Sequence, residues 1–339
     1  TLSQIGWGDM GPYVESQLIP VIKEISKDVA VITFDYKIGA INEYESYDSY
    51  NVYEYYRIRQ TTSGFYLLNY EREANQIFDG KNDLLSTAKI NLGIQSGTTA
   101  EFNSDEKGTY SYFVNEGSLW CYNIDTNMYT RVFSFNADET DGIRENYNQH
   151  GIKILNVSND GNCDFIVYGY MNRGDHEGQV GTAVYHYDGL VQTMEEEVFI
   201  PSTQSYEILK AEMGQLMYVN DKGNLYLFID EKLYRINLTT LKEKVIVDGL
   251  KESCYQTSQS NQYLAWVEAD NEYSSTTIHL MNLQDESVYD IKESDNLYLR
   301  PLGFINNDFI YGVAKKDNVV VGAAGNTVFP MDYLKIMST

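Results

Sequence analysis

The side chains best suited to bind a ligand are concentrated in two long connections between apolar runs. Residues 136–150 and 171–180 hold the candidate binding residues Asp138, Glu139, Asp141, Arg144, Arg173, Asp175, His176 and Glu177. Carboxylate, guanidinium and imidazole groups recognise polar ligands through ion pairs and hydrogen bonds. Connections of this length are functional more often than simple links, so we predict that they form a binding surface. Residues 315–326 form a third long connection.

Signatures of the common catalytic mechanisms are absent from the sequence. There is no G-x-S-x-G, no P-loop and no G-x-G-x-x-G before a helix. Two of the four histidines, His186 and His279, occupy equivalent positions of a repeat, so we interpret them as structural. With 49 acidic residues, the sequence does not select the pair that a glycosidase would need. The pattern favours a non-catalytic protein.

Metal and motif signals are equally sparse. Cys121, Cys163 and Cys254 lie far apart without CxxC spacing, which favours small core residues over a disulfide or zinc site. We expect no cofactor. Calcium is the one ion left open, because residues 156–167 carry a glycine at the sixth place of an EF-like loop but no glutamate at the twelfth. The tripeptide Arg173-Gly174-Asp175 matches an integrin-binding motif, but so short a match arises often by chance.

Charge and hydropathy exclude several classes of partner. The 339 residues carry a net charge of −24 without a basic cluster, which argues against nucleic acid and anionic membrane surfaces. No apolar run approaches the roughly 20 residues of a transmembrane helix, so we expect no membrane insertion. Hydrophobic residues make up 43%, enough for a sizeable core. The remaining partners are a protein, a peptide or a glycan.

The elements that must position these connections belong to an internal repeat. An apolar, aromatic-rich strand recurs at intervals of 45 to 63 residues. Its copies are residues 65–70, 119–124, 183–187, 233–238, 278–283 and, degraded, 328–333. Before each copy lies another strand-like run. After each of the first five copies comes a further predicted strand, which is residues 76–78 in the first case. This period fits four short strands and their turns.

The repeat predicts an all-β fold, a single β-propeller domain over residues 1–339. We expect six four-stranded blades, with seven if the first 80 residues hide another. The sixth copy lacks an outer strand, so residues 2–7 are predicted to close the ring as a strand. A sandwich or jelly roll is the main rival, but it would not repeat one unit six times. Residues 136–150 then follow a fourth strand, whereas residues 171–180 and 315–326 follow second strands, and all three lie at one end of the blades.

One turn carries a family resemblance. Residues 158–166, Ser-Asn-Asp-Gly-Asn-Cys-Asp-Phe-Ile, resemble the Ser-x-Asp-Gly turn of TolB-like propeller repeats, which also occur in prolyl-oligopeptidase-type peptidases. Residues 260–266 are similar without the Asp-Gly, and residues 103–105 before Tyr110 are more distant. The resemblance implies a propeller fold and no particular activity, because the motif is a structural turn.

These patterns lead to a functional expectation. We expect a non-catalytic binding module of an extracellular or cell-surface protein, such as those of Gram-positive bacteria. The start at Thr1 without a signal sequence suggests a mature form or a segment excised from a longer secreted protein. The alternatives are a carbohydrate-active enzyme, either a glycosidase or a lyase, and an accessory propeller of a peptidase.

Overall fold

Antiparallel strands make up nearly all of the regular structure. The computed structural model describes residues 5–42, 45–80, 85–86, 89–90, 100–136, 144, 147–268, 271–322 and 326–339. Within them lie one α-helix, α1 (Tyr206–Gln215), and short 3-10 helices at Gly8–Met10, Glu252–Cys254 and Lys316–Asn318. No helix in these ranges is long and apolar enough to cross a bilayer.

The chain packs as two compact units. The first comprises Thr1–Val167, Met171–Gly178 and Val184–Glu196, and the second comprises Tyr168–Tyr170, Gln179–Ala183 and Glu197–Thr339. In four of the sheets every strand pairs with its neighbours in sequence, so these sheets are up-and-down antiparallel meanders. Short hairpin connections of this kind are what alternating strands and Asn, Asp and Gly turns predict.

The first sheet is built from unusually long strands. Its strands are β1 (Tyr13–Val14), β2 (Pro20–Ile25), β3 (Val29–Ile41), β4 (Tyr47–Thr61) and β5 (Gly64–Gln76). Both β1 and β2 pair with β3, and β4 lies between β3 and β5. A separate two-stranded pair follows, β6 (Leu85–Ser86) with β7 (Lys89–Ile90).

One end of this sheet is fixed by the residues that precede it. Trp7 packs against buried Tyr36, Ile38 and Val52, and its ring lies 3.9 Å from the guanidinium carbon of Arg72. Arg72 also donates hydrogen bonds to the carbonyls of residues 5 and 6. Residues 5–7 therefore form no strand and cover the first sheet, contrary to the expected ring-closing strand. Residues 2–4 lie outside the described residues.

Four four-stranded sheets follow along the chain. The second sheet contains β8 (Phe102–Ser104), β9 (Tyr110–Asn115), β10 (Ser118–Asn123) and β11 (Met128–Phe133). The third contains β12 (His150–Val157), β13 (Cys163–Tyr170), β14 (Val180–Asp188) and β15 (Thr193–Pro201). The fourth contains β16 (Met217–Val219), β17 (Asn224–Ile229), β18 (Lys232–Asn237) and β19 (Lys242–Asp248). The fifth contains β20 (Tyr255–Thr257), β21 (Tyr263–Trp266), β22 (Thr277–Asn282) and β23 (Ser287–Lys292).

The third strands of these sheets are the predicted copies of the repeat, and the second strands are the strand-like runs that precede them. All six residues of β17 are buried, as are Phe165, Ile166 and Val167 of β13. A strand packed on both faces reads as a continuous apolar run, which is why the repeat is visible in the sequence. The predicted fourth strands at residues 130–133, 197–200, 244–247 and 288–291 are also confirmed.

The same turn joins the first and second strands of all four sheets. In each, the fourth turn residue donates its N–H to the first turn residue's carbonyl and has a positive φ. The turns are residues 105–108, 158–161, 220–223 and 258–261, ending in Gly108, Gly161, Gly223 and Asn261. The first residue is Asp, Ser or Asn, and its side chain accepts backbone N–H groups within the turn or just after it. The copy that was expected at residues 260–266 thus begins at Ser258 rather than Ser260.

The last sheet has three strands. It contains β24 (Leu297–Ile305), β25 (Asp308–Lys315) and β28 (Tyr333–Met337), and the hairpin of β26 (Val320–Val321) and β27 (Thr327–Val328) connects β25 to β28. The third strand begins where the sixth repeat was expected to end. The expected count of six four-stranded blades is therefore not confirmed: among the described residues, the first of these sheets contains five strands, each of the next four contains four, and the last contains three.

The structure differs from expectation in two further places. The predicted outer strand at residues 76–78 is not formed: β5 ends at Gln76, and Phe78 packs edge-on against Phe113 and Trp120 of the second sheet. The helix α1 was not expected, because only Leu209 and Met213 are buried and its apolar periodicity is weak.

Candidate functional site

The connection between β13 and β14 is a compact turn with a buried base. Met171 and Asn172 are buried, and the Gly178 N–H donates to the Met171 carbonyl at 2.9 Å. Gly174 and Gly178 have φ values of 92° and 86°, a backbone region that residues other than glycine rarely adopt. The turn therefore presents residues 173–177 to solvent while its ends stay fixed.

Two long connections meet at this turn. The buried Asn172 side chain donates through Nδ2 to the carbonyl of Tyr147 at 2.8 Å. Above it, Arg144 forms an ion pair with Glu177, and Arg173 lies 3.5 Å from the same carboxylate. These contacts bring described residues of the two connections, 136–150 and 171–180, together.

Glu196 of β15 is a site residue that the sequence analysis missed. Its carboxylate oxygens lie 2.7 Å from Nε2 of His176 and accept a hydrogen bond from the Tyr185 hydroxyl at 2.7 Å. Burial and then the Glu196 carboxylate raise the pKa of Tyr185, whose ring stacks on Phe165. The only sequence signal was the run of three glutamates at residues 195–197 at the start of an apolar strand.

His150 anchors the second connection where β12 begins. Its ring packs edge-on against Phe135 at 4.7 Å, and Nε2 lies 3.1 Å from the Gly117 carbonyl. Burial lowers the pKa of His150, although the backbone hydrogen bond at Gly117 acts in the opposite direction. A ring held neutral and packed in this way supports the connection rather than reaching a ligand.

Five of the eight predicted binding residues are described, and they form one surface. We call Arg144, Arg173, Asp175, His176 and Glu177 the insertion surface. All except His176 are exposed. Asp138, Glu139 and Asp141 lie outside the described residues. The third long connection, residues 315–326, belongs to the second unit, and its described part contains a 3-10 helix and β26.

The other predicted chemical residues have structural surroundings. His186 of β14 lies 2.6 Å from Asp164, and His279 of β22 lies 2.7 Å from Asp290, so both equivalent histidines are held by carboxylates. All three cysteines are buried with free thiols, as expected of core residues. Residues 158–161 of the EF-like segment form a tight turn between strands. Within the described ranges, no three His, Cys, Asp or Glu side chains are placed to hold a metal ion.

Raised carboxyl pKa values mark where acid chemistry could occur. Burial raises the pKa of Asp35, Glu116 and Glu212. At Glu116 the hydrogen bond from Asn51, 2.8 Å long, opposes that rise, whereas neighbouring Glu73 adds to it. None of these three acids belongs to the insertion surface.

Comparisons with known proteins return structural likenesses and no sequence relative. No model of a known family and no curated protein matches the sequence. The β-propeller domain of the Trilobed protease from Pyrococcus furiosus is similar at a TM-score of 0.32 and 11% identity, over 96% of this chain and 85% of that one. Porphyromonas gingivalis dipeptidyl peptidase 4 gives 0.31 and 13%, over 64% and 36%. The tricorn protease gives 0.30 and 12%, over 91% and 34%.

The likenesses are limited in extent as well as in score. This chain spans about a third of the length of dipeptidyl peptidase 4 and of the tricorn protease. Scores of about 0.3 with identities near one residue in ten assign neither a family nor an activity. The repeating unit is instead evident in the chain itself, as four successive four-stranded meanders.

Proposed function

We propose that the chain is a non-catalytic, propeller-type binding module of an extracellular protein, and that its insertion surface binds a protein, peptide or glycan. The observation that carries the proposal is the Asn172 anchor. A fully buried amide joins two long connections and holds exposed charged side chains above them. Preorganised polar groups on a fixed base bind with a smaller loss of conformational entropy than groups on a free loop.

The chemistry of the insertion surface suits a ligand with both charges. Two guanidinium groups flank one carboxylate at Glu177, and a ligand carboxylate could replace that partner in the forked geometry that arginine favours. His176, held by Glu196, offers a further polar contact, and Asp175 offers an acceptor. Arg173 and His176 are therefore the side chains whose loss should weaken binding most.

The test is a glycan and peptide array probed with the whole chain, followed by titration of each ligand found. Arg173→Ala and His176→Ala should each weaken binding at least about tenfold, the usual effect of removing a central interface side chain. Arg59→Ala is the matched control, because Arg59 is similarly exposed and also pairs with a carboxylate, Asp28. Ligands whose affinity is unchanged in both insertion-surface variants would overturn the assignment.

A second candidate, an enzyme acting on carbohydrate, is favoured by one observation. Glu116 combines a raised pKa with a neighbouring glutamate, Glu73, as a general acid beside a second carboxylate would. The same array read for cleavage products distinguishes the two functions, since turnover abolished by Glu116→Gln would support the enzyme. The remaining alternative, an accessory propeller of a peptidase, requires that the ligands found be peptides.

A further inference from the structure

The first sheet extends beyond the length of a blade. Strands β3, β4 and β5 contain 13, 15 and 13 residues, whereas the second strands of the four-stranded sheets contain four to eight. At about 3.3 Å per residue the long strands reach about 20 Å further than a typical one. We call the half farther from Trp7, residues 20–32 and 55–68, the arm.

Strand register places one set of the arm's apolar residues together on a single face. Ile25, Ala30, Ile58 and Leu67 lie opposite one another across four strands. Ile22 and Ile32 form part of the next row, which continues into Tyr56 and Tyr70. Phe65 pairs with Gln60 at the end of the sheet. Directly paired residues point to the same side, so these rows make a continuous apolar face.

This face is open to solvent along the arm. Ile25 is 73% exposed, Phe65 71%, Ile22 61% and Leu67 47%. Toward the other end of the sheet the same face is buried under Trp7. Exposed side chains of this size offer on the order of 500 Å² of apolar area, the upper range for a patch on a monomer.

The charge of the arm differs from that of the rest of the chain. The arm carries four basic residues, Lys23, Lys27, Arg57 and Arg59, and two acidic ones, Glu24 and Asp28, in a chain of net charge −24. None of the charged residues is paired into the apolar rows: Arg57 and Arg59 lie opposite Val31 and Val29, on the other face. Two copies can therefore bring these faces together without burying a charge or apposing their acidic surfaces.

We infer that the apolar face of the arm is the interface of a symmetric dimer, with a second copy of this chain as its occupant. A symmetric contact places the same patch on both sides, so the patch must be self-complementary, and an uncharged apolar face meets that condition. Two such faces would bury on the order of 1,000 Å² together, the area that a specific interface needs. The inference is independent of the proposed function.

Sedimentation equilibrium of the full chain over a range of concentrations tests the dimer. We expect a reversible monomer–dimer equilibrium that Phe65→Asp weakens at least about tenfold, because the substitution buries a carboxylate in the apolar contact. Tyr66→Asp is the matched control: Tyr66 is adjacent, 53% exposed and paired with Arg59 on the opposite face, so it should leave the equilibrium unchanged.

Each other outcome overturns the inference. A chain that stays monomeric at the highest concentration has no such dimer, and a dimer that persists in Phe65→Asp uses another surface. Equal weakening by both substitutions would assign the effect to charge rather than to the apolar face. A monomer that floats with phosphatidylcholine vesicles, and loses that property in Phe65→Asp, would make the occupant a lipid surface. Far-ultraviolet circular dichroism of both variants checks that the sheet is intact.

Discussion

The first sheet and the four four-stranded sheets bury their apolar residues in different ways. In the short sheets, second strands can be buried on both faces, as in β17, where six consecutive residues are buried. In the first sheet, the face that Trp7 covers is buried at Tyr36, Ile38 and Val52 and becomes exposed along the arm, while the strands continue. A double-sided core needs strands of blade length only, whereas a single-sided one can extend into a surface for a partner.

A polar cluster lies where the Trp7-covered face of the first sheet passes from buried to exposed. The buried carboxylate of Glu54 accepts hydrogen bonds from Tyr56 at 2.8 Å, Tyr70 at 2.7 Å and Arg72 at 2.7 Å. Burial disfavours the charged form, but these three donors outweigh it and hold the pKa of Glu54 below its usual 4.5.

The largest expected effect is a difference in stability between phenylalanine substitutions in the two regions. Phe165→Ala in β13 removes a fully buried ring that packs against Phe133 and Tyr185, and should lower the free energy of unfolding by about 3–5 kcal/mol. Phe65→Ala on the arm should change it by no more than about 0.5 kcal/mol. Urea unfolding of monomeric samples measures both, and equal losses would mean that the arm is packed after all.

Glu54→Gln should have the next largest effect. It should lower the free energy of unfolding by about 2–3 kcal/mol, because it leaves the Arg72 charge without its buried partner. The lowered pKa fixes the pH dependence. The contribution is fully present above about pH 4.5, the usual glutamate value, and is lost as the pH falls through the lower folded value. The difference between wild type and Glu54→Gln in urea unfolding should therefore shrink with acidification.

Glu71→Gln controls for charge in that experiment. Glu71 is exposed, lies opposite Tyr55 on the other face of the sheet and accepts a hydrogen bond from the Asn69 side-chain amide. Its substitution should leave the free energy of unfolding within about 0.5 kcal/mol of wild type at every pH. A pH-independent effect of Glu54→Gln would show that its carboxylate does not hold the cluster together.

The smallest effect concerns the turn that joins the first and second strands in each of the four-stranded sheets. Gly223→Ala should lower the free energy of unfolding by about 1–2 kcal/mol, because an alanine at a positive φ is strained even where its Cβ meets no neighbouring atom. Gly161→Ala should cost more, since its Cβ would lie 2.7 Å from the Tyr110 ring. Asn261→Gly, at the equivalent position, should be nearly neutral. Thermal unfolding measures the three variants. A loss of stability that is largest for Gly161→Ala, smaller for Gly223→Ala and near zero for Asn261→Gly would support one turn geometry at all three sites.

Much of the fold is predictable from local pattern. The repeat located the second and third strands of the four-stranded sheets, because residues such as Leu225 to Ile229 are apolar on both faces. Turn chemistry located the turn at Ser158–Gly161. It placed the similar turn of residues 258–261 two residues too late, because Ser258 and Ser260 are equally good first residues until the hydrogen bonds are known. The third strand of the last sheet was misplaced because Pro330 and Asp332 interrupt its pattern.

The candidate site was predictable in part. Loop length selected residues 136–150 and 171–180, and the structure brings Arg144 to Glu177. Glu196 could not be selected, because one glutamate in a run of three has no distinguishing feature until its strand lies beside His176 and Tyr185. The role of Asn172 was equally hidden, since an asparagine next to a strand usually signals a turn rather than a buried anchor.

The sequence by itself determined that this chain is β-rich, that its unit is a strand repeat of about 50 residues, and that its long connections lie between particular strands. Those features are local, because alternation, turn residues and loop length act over a few residues. Tertiary structure alone decided which polar groups meet, where the first sheet stops being buried, and which apolar face stays open. Each depends on which strands lie side by side, and sequence spacing does not fix that pairing.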